Sequence, residues 1–149
     1  MVVGKFFKNI NQKNKNHHFS GLSFNSKKVK KNNIFFAIRG TKINANRYIK
    51  EAIKKGATTV VSNLDFQGLK NSILYIKSNN SRKLLSEVAS KFYKDKPKNL
   101  IAVTGTNGKS SIADFYFQIL NLNNKKVASI GTLGINTYLK KTDVKNTTL

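Results

Sequence analysis

Four apolar residues, Leu100-Ile101-Ala102-Val103, lead through Thr104 into Gly105-Thr106-Asn107-Gly108-Lys109-Ser110-Ser111. A segment with helical spacing follows from Ile112. This order of buried strand, glycine-bearing turn and helix constrains the fold more than any other stretch. It predicts an α/β chain whose turn cradles a phosphate, because free backbone N–H groups and the positive end of the helix dipole favour an anion there. Gly105 and Gly108 permit close backbone approach. Lys109 supplies a charge for the β/γ-phosphates and Ser110 a hydroxyl for Mg2+. With Thr106, Asn107 and Ser111 these residues make the candidate nucleotide-binding loop, and Lys109 is the candidate catalytic residue.

The spacing is shorter than the common phosphate-loop form. G-x-x-x-x-G-K-[ST] would require glycine at position 103, where Val103 stands, and the chain has G-x-x-G-K-S instead. A glycine-rich turn with no ligand is the alternative. The presence of strand, two glycines, lysine and helix in the required order favours the nucleotide.

Charge is the other conspicuous feature: 28 Lys and Arg against 6 Asp and Glu, a net +22. Nucleic acid is the partner such an excess suggests. The distribution argues for a solvated surface instead. The excess is nearly all lysine scattered along the chain, the only arginines are Arg39, Arg47 and Arg82, and asparagine is nearly as abundant as lysine. No nucleic-acid-binding motif accompanies it, so no nucleic-acid partner is expected. Absent cysteine excludes disulfides and thiolate metal sites. No apolar run approaches the roughly 20 residues of a membrane span. The N-terminus lacks an apolar signal core. A soluble, cytoplasmic, monomeric protein with no membrane partner is the expectation.

Along the chain, residues 1–18 are polar and weakly patterned, and His17-His18 reads as two exposed histidines without a metal partner. Phe19–Phe24, Ile34–Ile38, Thr58–Val61 and Ile73–Ile76 read as strands. Between Asn46 and Gly56, the residues Tyr48, Ile49, Ala52 and Ile53 have helical spacing. Ser81 is a plausible cap for a helix to Tyr93, with Leu84, Leu85, Val88, Ala89 and Phe92 on one face. The segment 94–98, with the only proline at Pro97, marks a boundary. Beyond it a helix bears Ile112, Ala113, Tyr116, Ile119 and Leu120, and Lys126–Ile130 is a second strand. Strand, helix and strand together predict a parallel β-α-β unit. Such a unit is about half of a small doubly wound sheet, so the chain reads as truncated.

Several separated stretches resemble the Mur ligases. Thr104–Ser111 is similar to their ATP loop, T-G-T-N-G-K-T-T. The Ile34–Ala57 region resembles their N-terminal domain, with its F-V-A-I-x-G, Tyr/Phe-Ile and A-x-x-x-G-A elements. Gly131-Thr132-Leu133-Gly134 followed by Asn146-Thr147-Thr148 is similar to the G-T-x-G … N-T-T pattern of the MurE-type branch. The polar composition of 1–18 predicts a weakly ordered segment, and the resemblance, which covers about residues 19–149, implies a UDP-binding α/β domain at 19–95 and the start of a P-loop-type, parallel-sheet ATP-binding domain at 99–149. It implies a cytoplasmic peptidoglycan-synthesis ligase using ATP and Mg2+. That enzyme adds diaminopimelate or lysine to UDP-N-acetylmuramoyl-L-alanyl-D-glutamate through an acyl phosphate. By the same resemblance Phe24, Ser26, Thr41, Lys42 and Ile43 fall where the first domain holds the uridine nucleotide, and Asn146, Thr147 and Thr148 where the second contacts the muramoyl-dipeptide. Ser110 would help hold the metal.

The chain departs from the family in places. Asn25-Ser26-Lys27 stands for Asp-Ser-Arg, Asn44-Ala45-Asn46 for Asp-Gly-His or Asp-Gly-Arg, and Ser110 for threonine. The family's carbamylated lysine and amino-acid-binding domain would lie beyond Leu149, so these 149 residues alone are expected to be inactive. Another Mur-type ligase, adding D-Ala-D-Ala, and a basic nucleic-acid-binding module are the alternative functions.

Overall fold

The apolar run at Ile34 becomes strand β2 (Asn33–Phe36), buried at every position. A strand with no exposed face belongs in a parallel sheet covered on both sides. In the computed structural model, which describes residues 1–40, 45–138 and 141–142, that sheet contains β1 (Gly21–Ser23), β2, β3 (Ala57–Ser62), β4 (Gly68–Lys70) and β5 (Ile73–Lys77). Their order is β1-β2-β3-β5-β4. The first four run parallel and β4 closes one edge antiparallel to β5.

The two-residue period of the strands sorts side chains into two cores. Ile34 and Phe36 of β2 face one way with Val61, Leu74 and Ile76, and meet Val88 of helix α2 (Ser81–Phe92). Phe35 and Ala37 face the other way with Val60, and meet Ile49 and Ala52 of helix α1 (Ile49–Lys54). The ladder keeps the two sets in register, pairing Phe36 with Val61 and Phe35 with Val60. Gly56 closes α1 at φ +101°, and a Cβ there would lie 2.9 Å from the Cα of Lys31. Only glycine fits both conditions.

Several sequence expectations shift. Residues 1–18 are packed, not weakly ordered: Val3 and Phe7 are buried in the α2-side core. Val2 bridges His18, and the Val3 and Gly4 N–H groups donate to the carbonyls of His17 and Lys15. Val3 and Phe7 stand four apart on a single helical turn, where the Phe7 N–H donates to the Val3 carbonyl at 3.2 Å, and one turn amid polar residues is too short to show a period. His17 is half-buried rather than exposed, its Nε2 3.0 Å from the Thr58 carbonyl. The cap of α2 is Asn80, whose side chain accepts from the Lys83 N–H at 2.9 Å, while Ser81 is already helical and buried.

The chain divides between Lys96 and Pro97 into two units. The second contains helix α3 (Lys109–Leu122) and strands β6 (Ala128–Gly131), β7 (Gly134–Thr137) and β8 (Lys141–Thr142), paired β6-β7-β8. Here the expected parallel β-α-β unit is not formed. Among the described residues 100–103 make no strand, with Leu100 87% exposed, and β6 pairs antiparallel with β7. A parallel strand needs a ladder neighbour and cover on both faces, and no described segment supplies them to 100–103. Gly131-Thr132-Leu133-Gly134 is a two-residue hairpin, with Gly134 at φ +97°.

Candidate functional site

Two sites arise at opposite kinds of element, a helix start in the second unit and a sheet edge in the first. Gly105–Gly108 forms the loop before α3. Gly108 is the N-cap residue, in the left-handed region at φ 73°, and contributes no side-chain hydrogen bond. A polar cap residue would have occupied the first N–H groups of the helix. Here they have no side-chain cap, and the first turn carries no acidic residue. Among the described residues nothing lies within 4 Å of where a Cβ on Gly108 would stand. The loop is thus open at the point where an anion would meet the helix dipole.

Lys109 folds back over this loop. Its Nζ donates to the Gly105 carbonyl and, at 3.0 Å, to that of Thr106. The ammonium therefore sits on the loop that the sequence assigns to phosphate. Ser110 and Ser111 follow in the first turn of α3, both exposed. Ser110 shares a groove with Asp114, Ser129, Thr132 and Asn136. Asn136 is buried, its Nδ2 3.5 Å from the Ser129 Oγ, and its Oδ1 has no partner among the described residues. Ala113, Ile130 and Leu133 line the same groove, and its polar atoms are oxygens of the kind magnesium takes, with Asp114 the one carboxylate. Sequence reasoning did not single out Asp114 or Asn136, since neither belongs to the loop motif.

In the first unit, ligands of open α/β sheets bind beyond the carboxyl ends of the strands. Phe24, Asn25 and Ser26 leave the carboxyl end of β1, and Phe24 is 53% exposed. Asn25 caps a 3-10 turn over Ser26–Lys28 by accepting from the Lys27 N–H at 2.9 Å. Ser23 Oγ donates to the Asn25 carbonyl at 2.9 Å. Ser26 is buried, and its hydroxyl donates to Glu51 Oε2 at 2.8 Å. Glu51 lies in the first turn of α1 and pairs with Lys55 at 3.6 Å. Lys55 also donates to the Lys27 carbonyl at 3.2 Å. At the same sheet edge, Asn46 Nδ2 donates to Asn63 Oδ1 at 2.8 Å, tying the loops after β2 and β3.

The structure thus brings Phe24 and Ser26 together at one edge and Gly105, Thr106, Asn107, Gly108, Lys109, Ser110 and Ser111 together at the start of α3. Thr41, Lys42 and Ile43, and Asn146, Thr147 and Thr148, lie outside the described residues. Glu51 was missed in the sequence. Its signal was scarcity: it is one of six acidic residues, placed on the half-buried side of a short helix.

Comparison with known proteins follows the same two regions. Residues 18–93 match the model of the Mur ligase family, catalytic domain. The chain is 42% identical over 130 residues to the UDP-N-acetylmuramoyl-L-alanyl-D-glutamate–2,6-diaminopimelate ligase of Rickettsia prowazekii, covering 87% of this chain and 27% of that one. The enzyme of the same name from Rickettsia montanensis is 43% identical over the same length and shares. An alignment that long in 149 residues includes the loop at 104–111. The chain spans about a quarter of the length of these curated relatives. Among solved structures, a ligase of that name superposes with TM-score 0.73 at 24% identity, over 95% of this chain and 30% of its own. The MurF ligase of Thermotoga maritima in complex with ADP gives 0.56 at 24%, over 70% and 23%.

Proposed function

The chain belongs to the Mur ligase family, and from that premise we propose that it carries the nucleotide-binding portion of a ligase of peptidoglycan precursor synthesis. The enzyme adds diaminopimelate to UDP-N-acetylmuramoyl-L-alanyl-D-glutamate in the cytoplasm. Supporting this most is that the relatives named for that reaction align across both units, loop included. In the reaction a carboxylate oxygen of the dipeptide attacks the γ-phosphorus of ATP and ADP leaves. The amine of the incoming amino acid then attacks the acyl carbon, losing a proton as phosphate departs and the amide bond forms. Lysine is the alternative incoming amino acid.

The chain's own residues have defined parts in this scheme. The free N–H groups at the start of α3 and the open Gly105–Gly108 loop hold the phosphates of ATP. Lys109 releases the carbonyls of Gly105 and Thr106 and neutralises charge that builds on the transferring phosphoryl group. Magnesium, held at the Ser110 hydroxyl, would further neutralise the phosphate oxygens. In the first unit Phe24 and Ser26 receive the uridine end of the precursor, with Thr41, Lys42 and Ile43. Asn146, Thr147 and Thr148 contact its muramoyl-dipeptide end.

Calorimetric titration of the 149-residue chain tests this. Saturable binding of UDP-N-acetylmuramoyl-dipeptide and of ATP with magnesium is expected at physiological salt, with duplex DNA bound only weakly. Steeply salt-dependent DNA binding without nucleotide binding would instead favour a basic nucleic-acid-binding module.

A further inference from the structure

We infer that Glu51 is a positioning residue for uridine recognition, fixing Ser26 as a hydrogen-bond acceptor and so selecting a base that donates. The inference rests on the proposed placement of the uridine nucleotide at Ser26. A serine hydroxyl has one proton and two lone pairs. At Ser26 that proton is committed to Glu51 Oε2, 2.8 Å away, and only the lone pairs remain for a ligand. A charge-assisted bond of this kind is stronger than one between neutral groups, so a ligand acceptor does not readily take the proton back.

The carboxylate is itself held. Its other oxygen lies 3.6 Å from the Lys55 ammonium, and Lys55 also donates to the Lys27 carbonyl. Asn25 fixes the same turn from the opposite side through the Lys27 N–H. Ser26 is thus buried on a turn secured at three points, at the carboxyl edge of the parallel sheet where such folds take their ligands. Uracil presents an N3–H donor, whereas cytosine has a bare acceptor nitrogen at that position. An acceptor-only serine favours the first and leaves a repelling lone pair against the second.

The test compares UDP and CDP binding to the full 149-residue chain by calorimetry, with thermal melting to confirm that each variant is folded. The wild type is expected to prefer UDP. Ser26→Ala and Glu51→Ala should each weaken UDP binding about tenfold, the order of one hydrogen bond, and erase the preference. The double variant should be no weaker than either single one. Glu51→Gln keeps an oxygen that accepts from the serine and should retain the preference, which a purely structural role for the charge would not require. If Glu51→Ala fails to fold, Glu51→Met, which keeps the bulk and cannot accept the serine proton, takes its place with the same expected loss. Equal binding of UDP and CDP by the wild type, UDP binding that needs Ser26 but ignores Glu51, or additive losses would each overturn the inference. Absence of any UDP binding by folded wild type would overturn the placement of the nucleotide itself, and the inference with it.

Discussion

The two units treat apolar residues in opposite ways. In the first, Ile34, Phe35 and Phe36 follow one another along β2 and all three are buried, because α1 and α2 cover opposite faces of the sheet. In the second, α3 has apolar residues on several sides, and the half-buried ones are Ala113, Phe117 and Leu120. Ile112, Phe115, Tyr116, Ile119 and Leu122 are exposed, Leu122 to 80%. A helix that is apolar nearly all round has the composition of one buried on several sides. The difference shows that burial belongs to the layers around an element, not to the element. The loop before α3 nevertheless stands on local geometry that needs few layers, a helix start, whereas the turn at Ser26 is completed by Glu51 from a helix that the sheet positions.

Substitutions should expose this contrast. Phe36→Ala removes a fully buried ring from the first unit and should cost about 3–5 kcal/mol, read as a shifted denaturation midpoint. Asn80→Ala removes the cap of α2 and should cost about 1 kcal/mol, measured the same way. If Ser81→Ala cost more than Asn80→Ala, the position of the cap would be wrong. Ile119→Ala, on the exposed side of α3, should stay within about 0.5 kcal/mol in the 149-residue chain. A cost near that of Phe36→Ala would break the comparison by revealing a packed face.

The smallest effect concerns Asp65. The hydrogen bond from Lys77 at 2.6 Å, and then its charge, hold the Asp65 carboxyl below its ordinary value. The sign follows: any stabilisation from this pair is complete above the ordinary carboxylate range and is lost as pH falls through the depressed value. Both groups are solvent-accessible, so the contribution to stability should be slight. Carboxyl titration by NMR should show the Asp65 midpoint rising in Lys77→Ala, and an unchanged midpoint would contradict the assignment.

Much of the first unit was legible because its signals are local and redundant. The run at Ile34 named a buried strand, the spacing of Ile49 and Ala52 named a helix face, and Gly56 marked its end. Val3 and Phe7 were not legible, since their burial depends on one short turn and a bridge to His18, too brief a stretch to establish a period among polar residues. In the second unit the helix after the loop was legible and its less exposed face only in part. Ala113 and Leu120 lie on it as expected, but Phe117 joins them in place of Ile112, Tyr116 and Ile119, and periodicity cannot choose a face when apolar residues surround the axis. The strand expected at 100–103 failed for a related reason. An apolar run announces a need for partners without supplying them. At the sites, Lys109 and the two glycines stood out by spacing, while Glu51 acts across 25 positions and only the fold brings it to Ser26.

The proposed division of labour assigns ATP phosphates to the loop before α3 and the uridine nucleotide to the carboxyl edge of the first sheet. The most direct measurement titrates Lys109→Ala separately with ATP plus magnesium and with UDP. Loss of ATP binding with UDP binding unchanged is the predicted result. ATP binding that survives the substitution, or UDP binding lost along with it, would contradict the assignment.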